Sequence, residues 1–286
     1  MLRALAILAA MGTGVLLPGL SARSGWIGWI LSAMLFLGFS GMPVGRLRPE
    51  KAHLRLLLAW PLFMALGWTV LWPFGRDARL AGLLVGATPT ATAAPVITGL
   101  LGGDVGFVSV SLLGSNLISA FLLPPLLSLA GGGRIPSTSS FLARTLALVL
   151  VPLALAAIVR RFPGTAGPLA RLRGLSFPLW LAALVLAGAK TSEFLRAHPT
   201  GIRSVLAITV GTALLCAVHF LAGRALGGKE RALEAGQSLG QKNTMLTLWL
   251  GLSAFGPVPA LGPAFYVLWH NVWNAFQMAR RGIRRS

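Results

Sequence analysis

Nine stretches of this chain carry no charged side chain: 4–22, 24–45, 56–75, 80–103, 105–133, 145–159, 174–189, 204–223 and 243–279. A helix needs about 20 apolar residues to cross a bilayer, so these runs restrict the fold more than any motif does. The last, 37 residues long, exceeds a single crossing and is divided by "GPVPALGP" at 256–263. Its first half extends back through 232–242 as a ninth span, and a tenth runs from 262 to 279. The expected fold is an all-α integral membrane protein of ten spans, with short loops and no soluble domain.

Composition bears on the solvent. Charged residues make up 11% of the chain and apolar ones 55%, whereas a soluble domain carries roughly 25% charged residues. Too few polar side chains exist to cover a water-facing surface, so the lipid bilayer is the expected partner. The net charge of +19 raises a nucleic-acid reading. The basic residues fall at the ends of apolar runs, however, and not on one patch, so no nucleic acid is expected. The single cysteine, Cys216, excludes an intramolecular disulfide and a cysteine-rich metal cage.

Orientation follows from the loops. With the N-terminus inside, sixteen lysines and arginines lie on one side and eight on the other, from Arg23 to Arg203, leaving only Lys242. Both termini are expected in the cytoplasm of a cell whose inner membrane holds the chain. Residues 1–22 also fit a signal peptide, but their apolar run is long for one, and retaining them keeps the alternation correct.

The fourth span poses a problem. "PTATAAP" at 89–95 sets Pro89 and Pro95 around Thr90, Thr92 and three alanines. Proline inside a helix costs about 3 kcal/mol, and broken helices survive in lipid only where protein or a water-filled cavity covers them. The ninth span contains "EAGQSLGQKNT" at 234–244, where Gly236 and Gly240 flank Gln237 and Ser238. One interrupted helix in each set of five spans points to an inverted repeat, 1–133 and 139–286, with a site at the midplane. Residues 89–95 and 236–241 are expected to be non-helical and to touch there.

Each break is followed by a span rich in polar residues: Ser109, Ser111, Ser115 and Asn116 in the fifth, and His270, Asn271 and Asn274 in the tenth. Ser111 and Ser115, four apart, share a helix face. Small residues also pack helices together, but buried asparagine and histidine are better explained by a site. Asn116, Asn271 and one of Thr90, Thr92 or Ser115 are expected to border one cavity with Gln241 and Asn243. His270 has no zinc-type partner, because residues 266 and 274 are Tyr and Asn, so no metal is expected there and no enzyme chemistry.

In their order, "PTATAAP", Gly103-Asp104, "GQKN" and "WHN" resemble the bile acid:sodium symporter superfamily over nearly the whole chain. The resemblance implies a panel of spans 1, 2, 6 and 7 and a core of spans 3–5 and 8–10. The fourth and ninth helices would be broken and would cross, and small organic anions would be driven by sodium. The motifs also depart from the family. Its fourth-span Ser-Asn ligand pair falls on Ala94-Pro95, its fifth-span hydroxyls on Val108 and Leu112, and its third-span glutamine is missing from 52–75. A one-residue slip restores Ser109 or Ser111.

Two registers fit the family's ninth-span Glu-x-Gly-x-Gln-Asn. One puts Ser238 in the glutamate column and Lys242 in the glutamine column. The other keeps Glu234 as a sodium ligand and puts Ser238-Leu239 where Gln-Asn belongs. In the preferred first register a tethered ammonium takes the place of sodium, with acceptors expected at 89–98. Eleven helical residues beyond Arg231 rise about 16 Å, which places Lys242 near mid-bilayer. It is then a sodium substitute, an anion-binding group or a proton carrier.

The expected function is secondary transport of a small organic anion by alternating access, sodium-independent with Lys242 in the ion's place. The alternatives are a sodium-coupled organic anion symporter using Glu234 and a membrane sensor or scaffold without transport. No cofactor is expected beyond sodium or a proton as the coupling ion, and the oligomeric state is not legible.

Overall fold

The computed structural model describes residues 2–42, 47–130, 138–162, 164–197 and 201–283. Arg46, Arg134, Arg284 and Arg285 from the loop count, and most of the expected boundary between the repeats at 133–139, lie outside the described residues. Among those described, the chain forms twelve α-helices and no β-strand. They are α1 (Leu2–Leu16), α2 (Trp26–Ser40), α3 (Lys51–Val70), α4 (Arg76–Ala87), α5 (Ala94–Leu100) and α6 (Val105–Ala130). After these come α7 (Thr138–Val159), α8 (Ala166–Leu172), α9 (Ser176–Ala197), α10 (Ile202–Gly240), α11 (Thr244–Ala254) and α12 (Pro257–Ile283).

Three helices, α3, α6 and α10, are long and apolar enough to cross a membrane. Shorter apolar helices cover Trp26–Ser40, Leu146–Val159, Ser176–Lys190 and Thr244–Ala254. Leu58 and Leu62, one turn apart along α3, stay largely exposed, as lipid-facing side chains do. The helix α10 is two limbs. Gly228, at φ 66° and ψ −164°, reverses the chain in a conformation that glycine adopts without steric cost. The limbs then pack against each other, so that a Cβ on Gly223 would meet Gly236 Cα at 2.9 Å.

The helices fall into two packed groups. In one, α1 lies on α9 and α2 lies on α7 and α9. Ser192 donates to the Val15 carbonyl at 2.8 Å and Arg160 to the Phe39 carbonyl at 2.9 Å, which fixes those pairs. In the other, α4 is surrounded by α3, α10 and α12. Backbones approach closely there because glycines face each other: a Cβ on either Gly67 or Gly82 would collide with the other's carbonyl. Lipid offers no hydrophobic drive between helices, so close packing through small residues does the joining.

The breaks fall only partly where the sequence put them. The chain leaves helix after Ala87 and re-enters at Ala94, with Pro95 in the first turn of α5, where its missing N–H costs nothing. In the second half, Gly236 and Gly240 are helical, and the break is confined to 241–243. The expectation of a break over 236–241 is corrected by packing. A Cβ on Gly236 would meet Arg224 Cγ at 2.8 Å, and one on Gly240 would overlap the Phe220 ring. These glycines admit neighbours into a helix, at about 1 kcal/mol each in propensity.

Candidate functional site

The two breaks cross and pair as a minimal antiparallel bridge centred on Thr90 and Lys242. The Ala91 N–H donates to the Gln241 carbonyl at 2.8 Å, and the Asn243 N–H donates to the Pro89 carbonyl at 2.7 Å. Leaving the helix frees backbone groups that cannot stay unpaired away from water, and each break satisfies the other's. Side chains complete the joint. Thr90 Oγ1 donates to the Ser238 carbonyl at 2.7 Å, and Ser115 Oγ accepts from the Thr90 N–H at 3.0 Å.

Asn116, with 0% of its surface exposed, is the brace between the halves. Its Nδ2 donates to the carbonyls of Thr90 and Leu112, both at 2.8 Å, and its Oδ1 accepts from Asn243 Nδ2 at 2.9 Å. Asn243 is also the N-cap of α11, accepting from the Leu246 N–H. On the far side, Tyr266 donates to the Gly240 carbonyl at 2.9 Å and lies 3.2 Å from His219 Nδ1. Thr88 and Thr247 join their hydroxyls at 2.8 Å.

Two cavities meet at this crossing. The larger, about 430 Å³, lies between α2 and α9 on one side and α5, the start of α6, α11 and α12 on the other. Met34, Leu37, Met42, Phe177, Trp180 and Met245 give it apolar walls, and Gln241, His270 and Asn274 a polar floor. In that floor Gln241 Nε2, His270 Nδ1 and Asn274 Oδ1 are buried without a protein partner. Buried polar atoms are normally paired, so three orphans around one cavity describe a place for a ligand or water. The smaller cavity, about 300 Å³, lies between α3 and α6.

The residues singled out in the sequence divide between these spaces. Thr92, Gln241, Lys242, Asn243, His270 and Asn271 border the larger cavity. Thr90, Ser111, Ser115, Ser238 and Lys242 border the smaller. The expectation that Asn116 and Asn271 share one cavity is therefore corrected. Asn116 borders neither, because its amide is spent on the crossing, while Asn271 borders the larger and bonds only the Val267 carbonyl of its own helix.

Lys242 is 2% exposed and donates to the Thr88 carbonyl at 3.0 Å, one residue before the 89–98 stretch expected to hold its acceptors. Among the described residues it forms no ion pair. Glu234 is occupied elsewhere: its Oε1 accepts from the Asp104 N–H at 2.9 Å. Arg231 binds Glu50 through Nε at 3.0 Å and Asp104 through Nη1 at 3.2 Å, closing a charged cluster at that end of the molecule.

Sequence reasoning missed Tyr266 and His219. Tyr266 is the chain's one tyrosine and is wholly buried, and a solitary tyrosine inside an apolar run is a signal for a buried hydroxyl partner. Among the described residues, no group of three histidines, cysteines or acids is placed to hold a metal. Compared with known proteins, the chain matches no protein-family model, and no curated sequence matches it.

Proposed function

We propose that the chain is a secondary transporter of a small organic anion, working by alternating access as a ten-span inverted repeat of 1–133 and 139–286. The observation that carries this reading is the crossing itself. Two unwound segments at corresponding places in the halves are hydrogen-bonded to each other beside a cavity with an unpartnered polar floor. Irregular backbone at membrane depth is tolerated where it lines such a space, and transporters place substrate there. The group containing α1, α2, α7 and α9 acts as panel, and α3–α6 with α10–α12 as core.

The anion's place is the floor of the larger cavity. Gln241 Nε2 is an unused donor there, and Lys242, the only charged residue on the lining among the described residues, supplies a positive field with no carboxylate of those residues paired against it. The cavity reaches Gly41, Met42, Gly99 and Gly174, the end that the basic loops assign to the cytoplasm, so this is the inward-facing state.

Lys242 on the Thr88 carbonyl supports the sodium-independent form, because the ammonium takes an acceptor that a cation would need. Glu234, engaged at Asp104, gives the sodium-coupled alternative no support. The test is uptake of radiolabelled small carboxylates into proteoliposomes with sodium or potassium as the only cation. Uptake equal in both salts is expected. A panel that is never taken up overturns the transporter reading, and strict sodium dependence overturns its coupling.

A further inference from the structure

We propose that the smaller cavity is an aqueous path carrying a proton between the Lys242 ammonium and the surface at Glu50, which makes Lys242 the proton-bearing group of the transport cycle; this rests on the transporter reading above. The cavity is lined at one end by Pro49, Glu50 and His53 and at the other by Thr88, Ser238 and Lys242. The ten residue steps from Glu50, the N-cap of α3, to Trp60 rise about 15 Å, which is the depth to be crossed. With about 30 Å³ per water, a 300 Å³ space has the volume of about ten waters.

Two hydroxyls on its wall are unspent. Ser238 Oγ, on a residue 4% exposed, and Ser111 Oγ are both buried without a protein partner, and both border this cavity. The other hydroxyls on the wall are already committed: Thr90 donates to the Ser238 carbonyl, and Ser115 accepts from the Thr90 N–H. An ammonium has three donors, and Lys242 spends one on Thr88, a residue that borders this cavity and not the larger one. A buried cation without counter-charge is costly, so its remaining N–H groups need water or must be given up.

The step balances simply. One Nζ–H bond of Lys242 breaks, its electron pair stays on nitrogen, and a cavity water takes the proton and passes it outward. The proton leaves at the mouth, where Glu50, one-third exposed, is held by Arg231. Reprotonation reverses the path. Because Lys242 also borders the larger cavity, its charged form favours an anion there, so anion and proton travel together.

The titratable groups around Lys242 come from three sides. Cys216 and His219 on the first limb of α10 lie close enough to act on it electrostatically. From α12, Tyr266 bonds that histidine and His270 borders the larger cavity with Lys242. From α3 comes His53, whose Nδ1 accepts from the Glu50 N–H and whose Nε2 faces the Phe107 carbonyl. Among the described residues, no acidic or basic side chain of α4, α5, α6 or α11 borders either cavity.

Neither readout of the test requires transport, so failure here is separable from failure of the transporter reading. In a Cys216→Ala background, Ser111→Cys is exposed to a charged, membrane-impermeant methanethiosulfonate in inside-out and right-side-out vesicles. Modification at least about tenfold faster from the Glu50 side is expected if water fills the path. Reaction only with a membrane-permeant maleimide means that lipid fills it, and overturns the proposal. Melting temperature is then followed for the unmutated protein and Lys242→Met. The gap between them is expected to change by about 4 °C or more from about pH 5 to about pH 9. A constant gap means that Lys242 exchanges no proton, and also overturns it.

Discussion

Asn116 and Asn271 look alike in the sequence, each an asparagine just after a broken span, yet the structure assigns them very different stakes. Replacing Asn116 with alanine removes the donor to the Thr90 carbonyl and the acceptor for Asn243 Nδ2, both buried. The Leu112 carbonyl lies four residues earlier in the same helix and keeps its helical partner. Two polar groups are then stranded, at about 1–3 kcal/mol each, for a total of about 2–6 kcal/mol. A chain of this size melts roughly 2–4 °C lower per kcal/mol, which predicts a fall of roughly 4–24 °C. Asn271→Ala removes one bond to its own helix and is expected to cost under about 0.5 kcal/mol. The assay is thermal unfolding of both variants in one detergent, with Ser115→Ala as an intermediate case that loses the Thr90 N–H acceptor alone. If Asn116→Ala melted within about 2 °C of Asn271→Ala, the brace between the halves would be no brace.

Gly82→Ala places a Cβ against the Gly67 carbonyl and is expected to cost about 1–3 kcal/mol or more by forcing α3 and α4 apart, read as lost folded yield or a lowered melting temperature. Tyr266→Phe keeps the ring and removes the donor to Gly240, so a loss of about 1–3 kcal/mol is expected in the same assay. Lys242→Gln should lower stability in potassium, because the Thr88 carbonyl loses a charged donor, and a sodium titration should raise the melting temperature of the variant more than that of the unmutated protein. A sodium response in the unmutated protein equal to the variant's would refute the idea that the ammonium holds the ion's place.

The existence of most helices was legible because the charge-free runs are long and the bilayer sets their length. The first break was legible for a more local reason: Pro89 and Pro95 bracket small residues that gain nothing by staying helical. Proline pairs alone are no guide, since Pro124 and Pro125 sit inside the continuous α6. What differs is position, with Pro95 in the first turn of a helix and Pro89 in the extended stretch before it. The second break falls later than the glycine spacing suggests, because Gly236 and Gly240 admit neighbours into a helix and do not interrupt it. Spacing in a sequence does not reveal that Arg224 and Phe220 lie against them, since those residues belong to the other limb of a hairpin turned at Gly228.

The division of the polar residues into two cavities was hidden for a related reason. Residues 88–93 and 241–243 run through the middle of the core, so side chains from one short stretch emerge on opposite faces. Thr90 and Thr92 illustrate it: Thr90 lies in the bridge and borders the smaller cavity, whereas Thr92 lies in the turn leading into α5 and borders the larger. Their neighbour across the bridge, Lys242, borders both. Residues two apart in extended backbone would share a face; the turn at 92–93 is what sends Thr92 to the other side. The residues that act as brace were equally obscure, because Asn116 contributes through what its amide bonds and not through where it opens. A crossing of this kind therefore separates two requirements that look identical in sequence: holding the broken helices together, which demands complete pairing, and receiving a ligand, which demands that some polar atoms be left over. Asn116 meets the first, and Gln241, His270 and Asn274 meet the second.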